Sequence, residues 1–304
     1  MRILSIQSSV AYGHVGNSAA TFPLQRLGHQ VWPVITVHFS NHTGYGAWRG
    51  PVLDAADVRE VIAGIADRGV LGTADAVLTG YQGSPGVAEV VLDTVAQVRQ
   101  QNPKAIYCCD PVMGDLGRGF FVLPGIPALM RDKVVPAADI VTPNAFELAY
   151  LAGDGSDPDT ATPADVSTVD AVLAAVARVR AAGPRTVLVT SVHLGGAPTD
   201  AGSHDGDARD GQAEISMIAV DDLGAYLVST PILPISVNGL GDVTAALFLA
   251  HLSDGAEVAL RRVASSVFAI LQATVDAGSR EIALVQAQDR IAHPAGEFAV
   301  TRIG

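Results

Sequence analysis

The chain has 304 residues and a formal net charge of −12. Hydrophobic residues make up 49% of it and charged residues only 16%, so a buried core is expected and general disorder is not. The length is compatible with one domain over residues 1–304. The acidic balance excludes a global basic field that would concentrate the chain on nucleic acid or on a membrane surface. Any anionic ligand must therefore be bound locally, by backbone N–H groups, helix N-termini, single arginines or cations.

Neither a targeting segment nor a disulfide framework is predicted. The apolar run at Met1–Gln7 is too short for a signal peptide. We expect no stretch of membrane-spanning length, which makes the cytoplasm the default location. The two cysteines, Cys108 and Cys109, are neighbours in an apolar run and are predicted to be core residues.

Short apolar runs alternate along the chain with segments of helical character. This alternation is typical of βαβ units, and continuously apolar strands favour a parallel sheet that is covered on both faces. We therefore predict an α/β fold, a three-layer α/β/α sandwich with a mainly parallel central sheet, in which ligands bind beyond the carboxyl ends of the strands. The predicted strands are Arg2–Ile6, Val31–Val37, Ala76–Leu78, Ala105–Cys109, Ile140–Val141 and Thr186–Val189, and the predicted helices include Val87–Gln101, Val169–Ala182, Asp242–His251 and Glu257–Ala277.

A polar loop with two glycines, between Gln7 and Ala20, joins the first strand to the first helix. It superficially suggests a dinucleotide fingerprint, but the three-glycine spacing is absent and no acidic residue ends the second strand. A Rossmann dehydrogenase is therefore rejected. The loop after the second strand, His38–Gly46, is polar and aromatic and could hydrogen-bond to and stack on a flat polar ring. His42 within it is equally compatible with a surface position.

Acidic residues follow the next strands of the predicted sheet. Asp110 and Asp115 lie in the loop after Ala105–Cys109, where carboxylates suit Mg²⁺ that bridges nucleotide phosphates. The alternative is a type I turn, which favours Asp and Pro. After the following strand, Asn144 and Glu147 fit a capping box, and Glu147 is also a candidate metal or metal-water ligand. The two roles of Glu147 are compatible.

Other strand ends carry tyrosine and hydroxyl side chains. Tyr81 could pack against an aromatic substrate, and Thr190 with Ser191 could contact phosphate or ribose; local turn contacts are the alternative for each. Two stretches rich in Gly, Asp, Ser, Thr and Pro, Gly153–Thr168 and Gly195–Gln212, are predicted surface loops. The second is long enough to cover a site, or it is a solvated insertion without function.

A glycine-rich turn, Gly239-Leu240-Gly241-Asp242, directly precedes a strong helix-forming run. Such a turn presents N–H groups at the positive end of a helix, where a phosphoryl group can bind. Asp242 could accept a proton from a substrate hydroxyl beside that anion hole. The alternative is that Asp242 only caps the helix.

Together, these segments resemble the pyridoxal kinases of the ribokinase-like superfamily, in the same order over nearly the whole chain. The Gly-x-Gly-Asp turn identifies only the superfamily. The features characteristic of pyridoxal kinases, as opposed to hydroxymethylpyrimidine kinases, are Gln7-Ser8, the run from Tyr12 to Ala20, and Phe39-Ser40-Asn41-His42-Thr43. Independent motifs in one consistent order make an accidental match remote.

The resemblance implies ATP-dependent phosphorylation of the 5′-hydroxyl of pyridoxal, with Mg²⁺ and a monovalent cation such as K⁺, in a homodimer. Asp242 would activate the hydroxyl, and the amides of Gly239, Leu240, Gly241 and Asp242 would stabilise the transferred phosphoryl group. The implied substrate residues are Ser8, Thr43, Gly44, Tyr81 and Asp242; the implied nucleotide and cation residues are Asp110, Thr142, Glu147, Thr190, Ser191, Thr230, Pro231, Ile232 and Leu233; and Asp115 is similar to a metal-associated acid of some members.

Three departures from the family pattern bear on the substrate. Thr190 stands where some bacterial members have a lysine, Val122 stands where some have a substrate-side tyrosine, and no cysteine occupies the anion-hole turn. Two functions are alternatives to phosphorylation of pyridoxal. One is a hydroxymethylpyrimidine kinase or a kinase acting on both rings. The other is a weakly catalytic carrier or sensor of pyridoxal or its phosphate, which the intact catalytic turn disfavours.

Overall fold

The computed structural model describes the chain except for residues 156–159, 195–212 and 297. Within the described part, nine strands form one sheet and two short strands form a separate hairpin. The strands are β1 (Arg2–Val10), β2 (Gln30–Phe39), β3 (Ala76–Thr79), β4 (Ile106–Cys109), β5 (Gly114–Asp115), β6 (Gly119–Phe120), β7 (Ile140–Val141), β8 (Thr186–Val192), β9 (Glu214–Val220), β10 (Ala225–Pro231) and β11 (Val300–Arg302).

The sheet has the order β11-β10-β9-β8-β7-β4-β3-β1-β2. The six strands from β8 to β2 are parallel, which confirms the prediction of a mainly parallel sheet. The three strands β9, β10 and β11 extend one edge in antiparallel fashion. This edge was not predicted, because Glu214–Val220 and Ala225–Pro231 lack the helical segments between strands that signal βαβ units.

Helices cover both faces of the sheet and complete the predicted three layers. The helices are α1 (Asn17–Arg26), α2 (Ala55–Asp67), α3 (Pro85–Gln101), α4 (Ile126–Leu129), α5 (Val135–Ala137), α6 (Ala145–Leu151), α7 (Val169–Ala182), α8 (Leu240–His251), α9 (Ala256–Asp276) and α10 (Gln288–Ala292), with a π-helical turn at Met130–Val134 between α4 and α5. One core cluster joins α2, α3, α6 and α7 to one face, and a second joins α1, α8, α9 and α10 to the other.

Side-chain caps explain why several helices begin where they do. The hydroxyl of Ser84 accepts a hydrogen bond from Val87, with Pro85 in the first turn of α3, and Thr168 caps α7 in the same way. The predicted capping box is confirmed, since Asn144 and Glu147 exchange hydrogen bonds at the start of α6. These helices lie in the connections between parallel strands, α3 between β3 and β4, and α6 and α7 between β7 and β8.

The helix α9 corrects the expectation that no stretch reaches membrane-spanning length. Among the described residues it is the one helix long and apolar enough to cross a membrane by length and composition, with a mean hydropathy of 1.3. Its apolar side packs on α8 and on the strands β9 and β10. Of the apolar 18-residue stretch within the helix, 44% is buried within the fold. Packing in the second core cluster therefore accounts for its hydropathy.

The remaining predictions about the core and loops have mixed outcomes. Cys108 and Cys109 are fully buried free thiols, as predicted. The described parts of Gly153–Thr168 form no helix, and only an isolated bridge joins Asp154 to Thr162. The loop Gly195–Gln212, with its suggested role as a cover, lies outside the described residues.

Candidate active site

The glycine-rich turn leads into α8, as predicted, and Gly239 caps the helix in the left-handed region with φ 91°. Because the cap is Gly239, Asp242 lies inside the first turn and is not the helix cap. The backbone N–H groups of Gly16 and of Asp242 itself lie close enough to its carboxylate to act on its pKa. Burial raises the pKa of Asp242 to about 6, although these N–H groups act to lower it. The turn thus holds a carboxylate of raised basicity beside the N-terminus of a helix.

The polar loop after β1 supplies the residues that face this carboxylate. Gly16 caps α1 with φ 53°, and a methyl group on it would collide with the backbone oxygen and the Oγ of Ser8. Ser8 is buried. Gly16 is therefore packed between Ser8 and Asp242, which places the predicted substrate residue Ser8 next to the predicted base.

The loop after β2 approaches the same turn from another side. Thr43–Tyr45 form a 3₁₀ turn capped by His42, whose Nδ1 accepts a hydrogen bond of 2.9 Å from the N–H of Gly44. A methyl group on Gly44 would lie 3.4 Å from Nδ2 of Asn238, the residue before Gly239. The 3₁₀ turn that carries the predicted substrate residues Thr43 and Gly44 is thereby placed beside the glycine-rich turn Gly239–Asp242, the predicted catalytic turn.

Two carboxylates, Asp110 directly after β4 and Glu147 in the first turn of α6, are buried near the turn. Thr142 donates to Asp110 at 3.1 Å, and Oδ2 of Asp110 lies 3.9 Å from where a methyl group on Gly241 would stand. Burial and then the charges of Glu147 and Asp242 raise the pKa of Asp110 well above its usual range. Burial also raises the pKa of Glu147 to about 8.

The acidic group fits a cation in part. A bound cation would offset the repulsion among Asp110, Glu147 and Asp242, and Oδ2 of Asp110 faces the turn where a phosphate would bind. Glu147 already accepts backbone hydrogen bonds from Met113, Gly114 and Asn144 at 2.8, 3.4 and 3.0 Å. Its remaining capacity suits contact with a cation through water rather than direct ligation.

Asp115 stands apart from this pair. It is exposed in the β5–β6 hairpin, and its carboxylate accepts from Leu116 N–H at 2.8 Å, although its charge still raises the pKa of Glu147. Within the described residues, no group of three or more His, Cys, Asp or Glu side chains forms a ready metal cluster. The three predicted metal residues are therefore not assembled into one protein-only site.

The other predicted site residues lie at neighbouring strand ends. Tyr81 lies after β3, and burial raises the pKa of its hydroxyl. Its backbone carbonyl accepts a hydrogen bond from the hydroxyl of Thr36. Thr190 bridges to Asn144, and Ser191 adopts a φ of 55°, a conformation unusual for a residue with a side chain. Thr230 and Pro231 end β10, where they pair with β9, and Ile232 and Leu233 follow the strand. The N–H of Ile232 donates to the Ala213 carbonyl, and the Leu233 carbonyl accepts from the N–H of Ile235.

Three residues of this region have no role in the predicted site: Gly16, Tyr45 and Glu281. Gly16 was one of several glycines in a predicted loop, and only its φ and its contact with Asp242 reveal its position. Tyr45 belonged to the polar-aromatic loop without a specific role. Glu281 follows α9 in an irregular segment and hydrogen-bonds to Tyr45 and His14. Such contacts between residues remote in sequence leave no signal in local spacing.

A mostly parallel α/β/α sandwich with an anion-binding turn, a carboxylate of raised pKa and buried acids at strand ends defines a small-molecule phosphotransferase. Residues 58–280, more than half of the chain, match the family model for phosphomethylpyrimidine kinase. Pyridoxal kinase PdxY of Leifsonia xyli is 55% identical over 100% of both chains, and that of Rubrobacter xylanophilus is 56% identical over 100% of this chain and 98% of its own.

Solved structures agree with these relatives. The pyridoxal kinase of Leishmania donovani in complex with ADP and ginkgotoxin is similar to this chain with a TM-score of 0.86 and 30% identity. That match covers 100% of this chain and 99% of the other. The chain belongs to the pyridoxal kinase family of the ribokinase-like superfamily.

Proposed function

We propose that this chain is a kinase that transfers the γ-phosphoryl group of ATP to the 5′-hydroxyl of pyridoxal, giving pyridoxal 5′-phosphate and ADP. The observation that carries the proposal is the position of Asp242, in the first turn of α8 directly after the glycine-rich turn, with the N–H of Gly16 close to its carboxylate. Relatives that are 55% and 56% identical are named pyridoxal kinases, and similar structures hold ADP with pyridoxine or pyridoxamine.

In the proposed reaction, Asp242 accepts the proton of the 5′-hydroxyl while the oxygen of that hydroxyl bonds to the γ-phosphorus of ATP. The bond from that phosphorus to the bridging oxygen of ATP breaks, and ADP leaves with the electron pair. The N–H groups of Gly239, Leu240, Gly241 and Asp242 would stabilise the negative charge on the transferred group. Alignment and electrostatic stabilisation supply most of what phosphoryl transfer requires.

The substrate pocket in this proposal is built by the loops that meet at the turn. Ser8, Thr43 and Gly44 would hydrogen-bond to the vitamin ring, and Tyr81 would pack near it. Their support is positional: Gly16 joins Ser8 to Asp242, and Gly44 approaches Asn238. The nucleotide would extend past Thr142, Thr190 and Ser191 toward the segment Thr230, Pro231, Ile232 and Leu233.

A divalent cation would bind between Asp110 and the nucleotide phosphates, with Glu147 acting through water. We expect Mg²⁺, which prefers oxygen ligands and keeps several waters, and a monovalent cation such as K⁺ nearby. The cations would neutralise charge on the phosphates. Asp115 would contribute only through its field, because its carboxylate is exposed and bonded within the hairpin.

A second candidate is phosphorylation of hydroxymethylpyrimidine, favoured by the match to the phosphomethylpyrimidine kinase model. The test measures phosphorylation of pyridoxal, pyridoxine, pyridoxamine and hydroxymethylpyrimidine by the purified chain, with Mg²⁺ and K⁺ varied. We expect the highest kcat/KM for pyridoxal and loss of activity without Mg²⁺. A higher kcat/KM for hydroxymethylpyrimidine would assign the second function, and vitamin binding without turnover would indicate a carrier.

The chain is also proposed to act as one domain, as a homodimer, in the cytoplasm. The continuous sheet from β1 to β11 supports one domain, and the family resemblance supports the dimer. Sedimentation velocity over a range of concentrations tests the assembly. A single species of monomer mass at all concentrations would contradict the dimer.

A further inference from the structure

Glu281 plays no part in the proposed chemistry, yet each of its carboxylate oxygens binds a loop of the candidate active site. Oε1 accepts a hydrogen bond of 2.7 Å from the hydroxyl of Tyr45, and Oε2 accepts one of 3.1 Å from the backbone N–H of His14. His14 and Tyr45 are 267 and 236 residues away in sequence. One side chain therefore joins three segments that the fold brings together.

The segment that carries Glu281 is itself held in place. The hydroxyl of Ser279 donates to the Glu281 carbonyl at 2.7 Å and accepts from the Glu281 N–H at 3.0 Å. Thr274, in the last turns of α9, accepts from Ser279 N–H through its carbonyl and from Ala283 N–H through its hydroxyl. These hydrogen bonds hold the segment that carries Glu281 in place directly after the end of α9.

On the His14 side, the contact leads directly to the catalytic turn. The carbonyl of His14 packs against Gly239 so closely that a methyl group there would collide with it. Two residues further on, the N–H of Gly16 lies close to the carboxylate of Asp242 and lowers its pKa. Holding the N–H of His14 therefore restrains both the glycine-rich turn and the loop segment that places Gly16 beside Asp242.

On the Tyr45 side, the contact restrains the turn that carries Thr43 and Gly44. The guanidinium of Arg280 lies 4.7 Å from the centroid of the Tyr45 ring, adding a cation–π contact beside the hydrogen bond. The hydrogen bond to Glu281 raises the pKa of Tyr45 to about 12, so the hydroxyl stays protonated and can donate. Gly44, within the same turn, approaches Asn238.

We propose that Glu281 is a positioning residue that holds the Gly13–Gly16 loop and the Thr43–Tyr45 turn against the catalytic turn, and so aligns the substrate hydroxyl with Asp242. The inference rests on the proposed function. It concerns a residue that touches neither the substrate nor the nucleotide in that proposal. Its effect on catalysis would be transmitted through Gly16 and through the Thr43–Tyr45 turn.

The test compares Glu281→Ala with Glu281→Gln in steady-state kinetics with pyridoxal. Alanine removes both contacts, and we expect kcat/KM to fall by about tenfold to a hundredfold, with kcat lowered as well as KM raised, because misalignment affects the transition state. Glutamine can accept from His14 N–H through its oxygen and donate to the Tyr45 hydroxyl through its nitrogen. It should therefore retain kcat/KM within about threefold of the wild type.

Tyr45→Phe and the double variant separate the two contacts. Tyr45→Phe should lower kcat/KM less than Glu281→Ala and add no further loss in the Glu281→Ala background, because the shared hydrogen bond is already absent. Glu257→Ala is the matched control: its partly exposed carboxylate pairs at 2.9 Å with Arg261 on α9, away from the loops. Its kinetics should match those of the wild type.

Hydrogen exchange supplies a readout that does not depend on turnover. In Glu281→Ala, exchange should become faster at Gly13–Gly16 and at Thr43–Tyr45. Wild-type kinetics and exchange in Glu281→Ala would overturn the proposal, as would equal impairment of the Gln and Ala variants. If Glu281→Ala does not fold, Tyr45→Phe with unchanged kcat and KM overturns it instead. A wild type that fails to phosphorylate pyridoxal refutes the proposed function, while the exchange experiment still decides whether Glu281 restrains the loops.

Discussion

The backbone N–H of Gly16 lies close to the carboxylate of Asp242 and lowers its pKa, which brings the loop after the first strand to the first turn of α8. This contact links the segment that resembles pyridoxal kinases most specifically to the turn that many ribokinase-like enzymes share. In the proposed reaction, substrate choice and phosphoryl transfer therefore meet at Asp242. Its basicity reflects a balance, because burial raises the pKa of Asp242 and the two N–H donors lower it.

The first prediction concerns the role of Asp242 as proton acceptor. Asp242→Asn keeps an oxygen that can accept the Gly16 N–H, so the fold and ATP binding should be retained. The amide cannot take a proton from the substrate, and turnover should fall by about two to four orders of magnitude. The measurement is kcat for pyridoxal together with the Kd for ATP. Turnover equal to the wild type would remove Asp242 from the mechanism.

The second prediction concerns the pH dependence of activity. Because Asp242 must be deprotonated to act and its pKa is raised to about 6, kcat/KM should fall as the pH drops through that value. The loss should approach about tenfold per pH unit on the acidic side. The profile of the residual activity of Asp242→Asn should lack this limb. An acidic limb centred at the ordinary aspartate pKa of about 4 would contradict the predicted burial effect.

The third prediction concerns the stability of the fold and rests on the same raised pKa of Asp242. The pKa of Asp242 is 3.8 in its ordinary state and about 6 in the fold, so the folded chain binds the proton more tightly. Its contribution to stability is therefore complete below the ordinary value and is lost as the pH rises through the folded value. Relative to Asp242→Asn, the wild type should lose about 1 kcal/mol of unfolding free energy between about pH 5 and pH 7.

Urea unfolding of both proteins at each pH provides that comparison. Asp289→Asn is a suitable control, since it replaces a surface carboxylate that is 87% exposed and pairs with Arg26. Its stability should follow the wild type at both values of pH. If the difference between the wild type and Asp242→Asn is the same at both, then Asp242 is not destabilised by burial.

Local patterns predicted the parallel part of the fold and the polar strand ends. Apolar runs such as Ala105–Cys109 revealed the central strands, and the spacing of Asn144 and Glu147 revealed a capping box that the structure confirms. These signals are local, since a strand, a cap or a glycine turn is encoded within a few residues. The turn before α8 was recognised for the same reason.

Features that depend on contacts between remote segments were not predicted. The antiparallel edge of β9, β10 and β11 consists of strands that lack the helical spacing of βαβ units. The hydrogen bonds that Glu281 accepts from His14 and Tyr45 form only because the fold places the segment after α9 beside both residues. The hydrogen bonds that Glu147 accepts from Met113 and Gly114 also join separate segments, so local spacing gives no signal for them.

The last prediction tests the close packing of the catalytic turn. Gly239 has a φ of 91°, and a methyl group on it would collide with the His14 carbonyl. Gly239→Ala therefore combines a conformational cost of about 1 kcal/mol or more with a displacement of the turn, and kcat should fall by about tenfold to a hundredfold.

Gly278→Ala separates these two effects. Gly278 also has a positive φ, of 58°, but among the described residues no heavy atom beyond its chain neighbours lies within 4 Å of the added methyl group. This variant should show a comparable conformational loss in thermal unfolding while its kcat stays near that of the wild type. Because both variants carry the backbone cost, only the loss of turnover in Gly239→Ala reports the contact with His14. Equal kcat values in the two variants would show that the turn tolerates displacement from the His14 carbonyl.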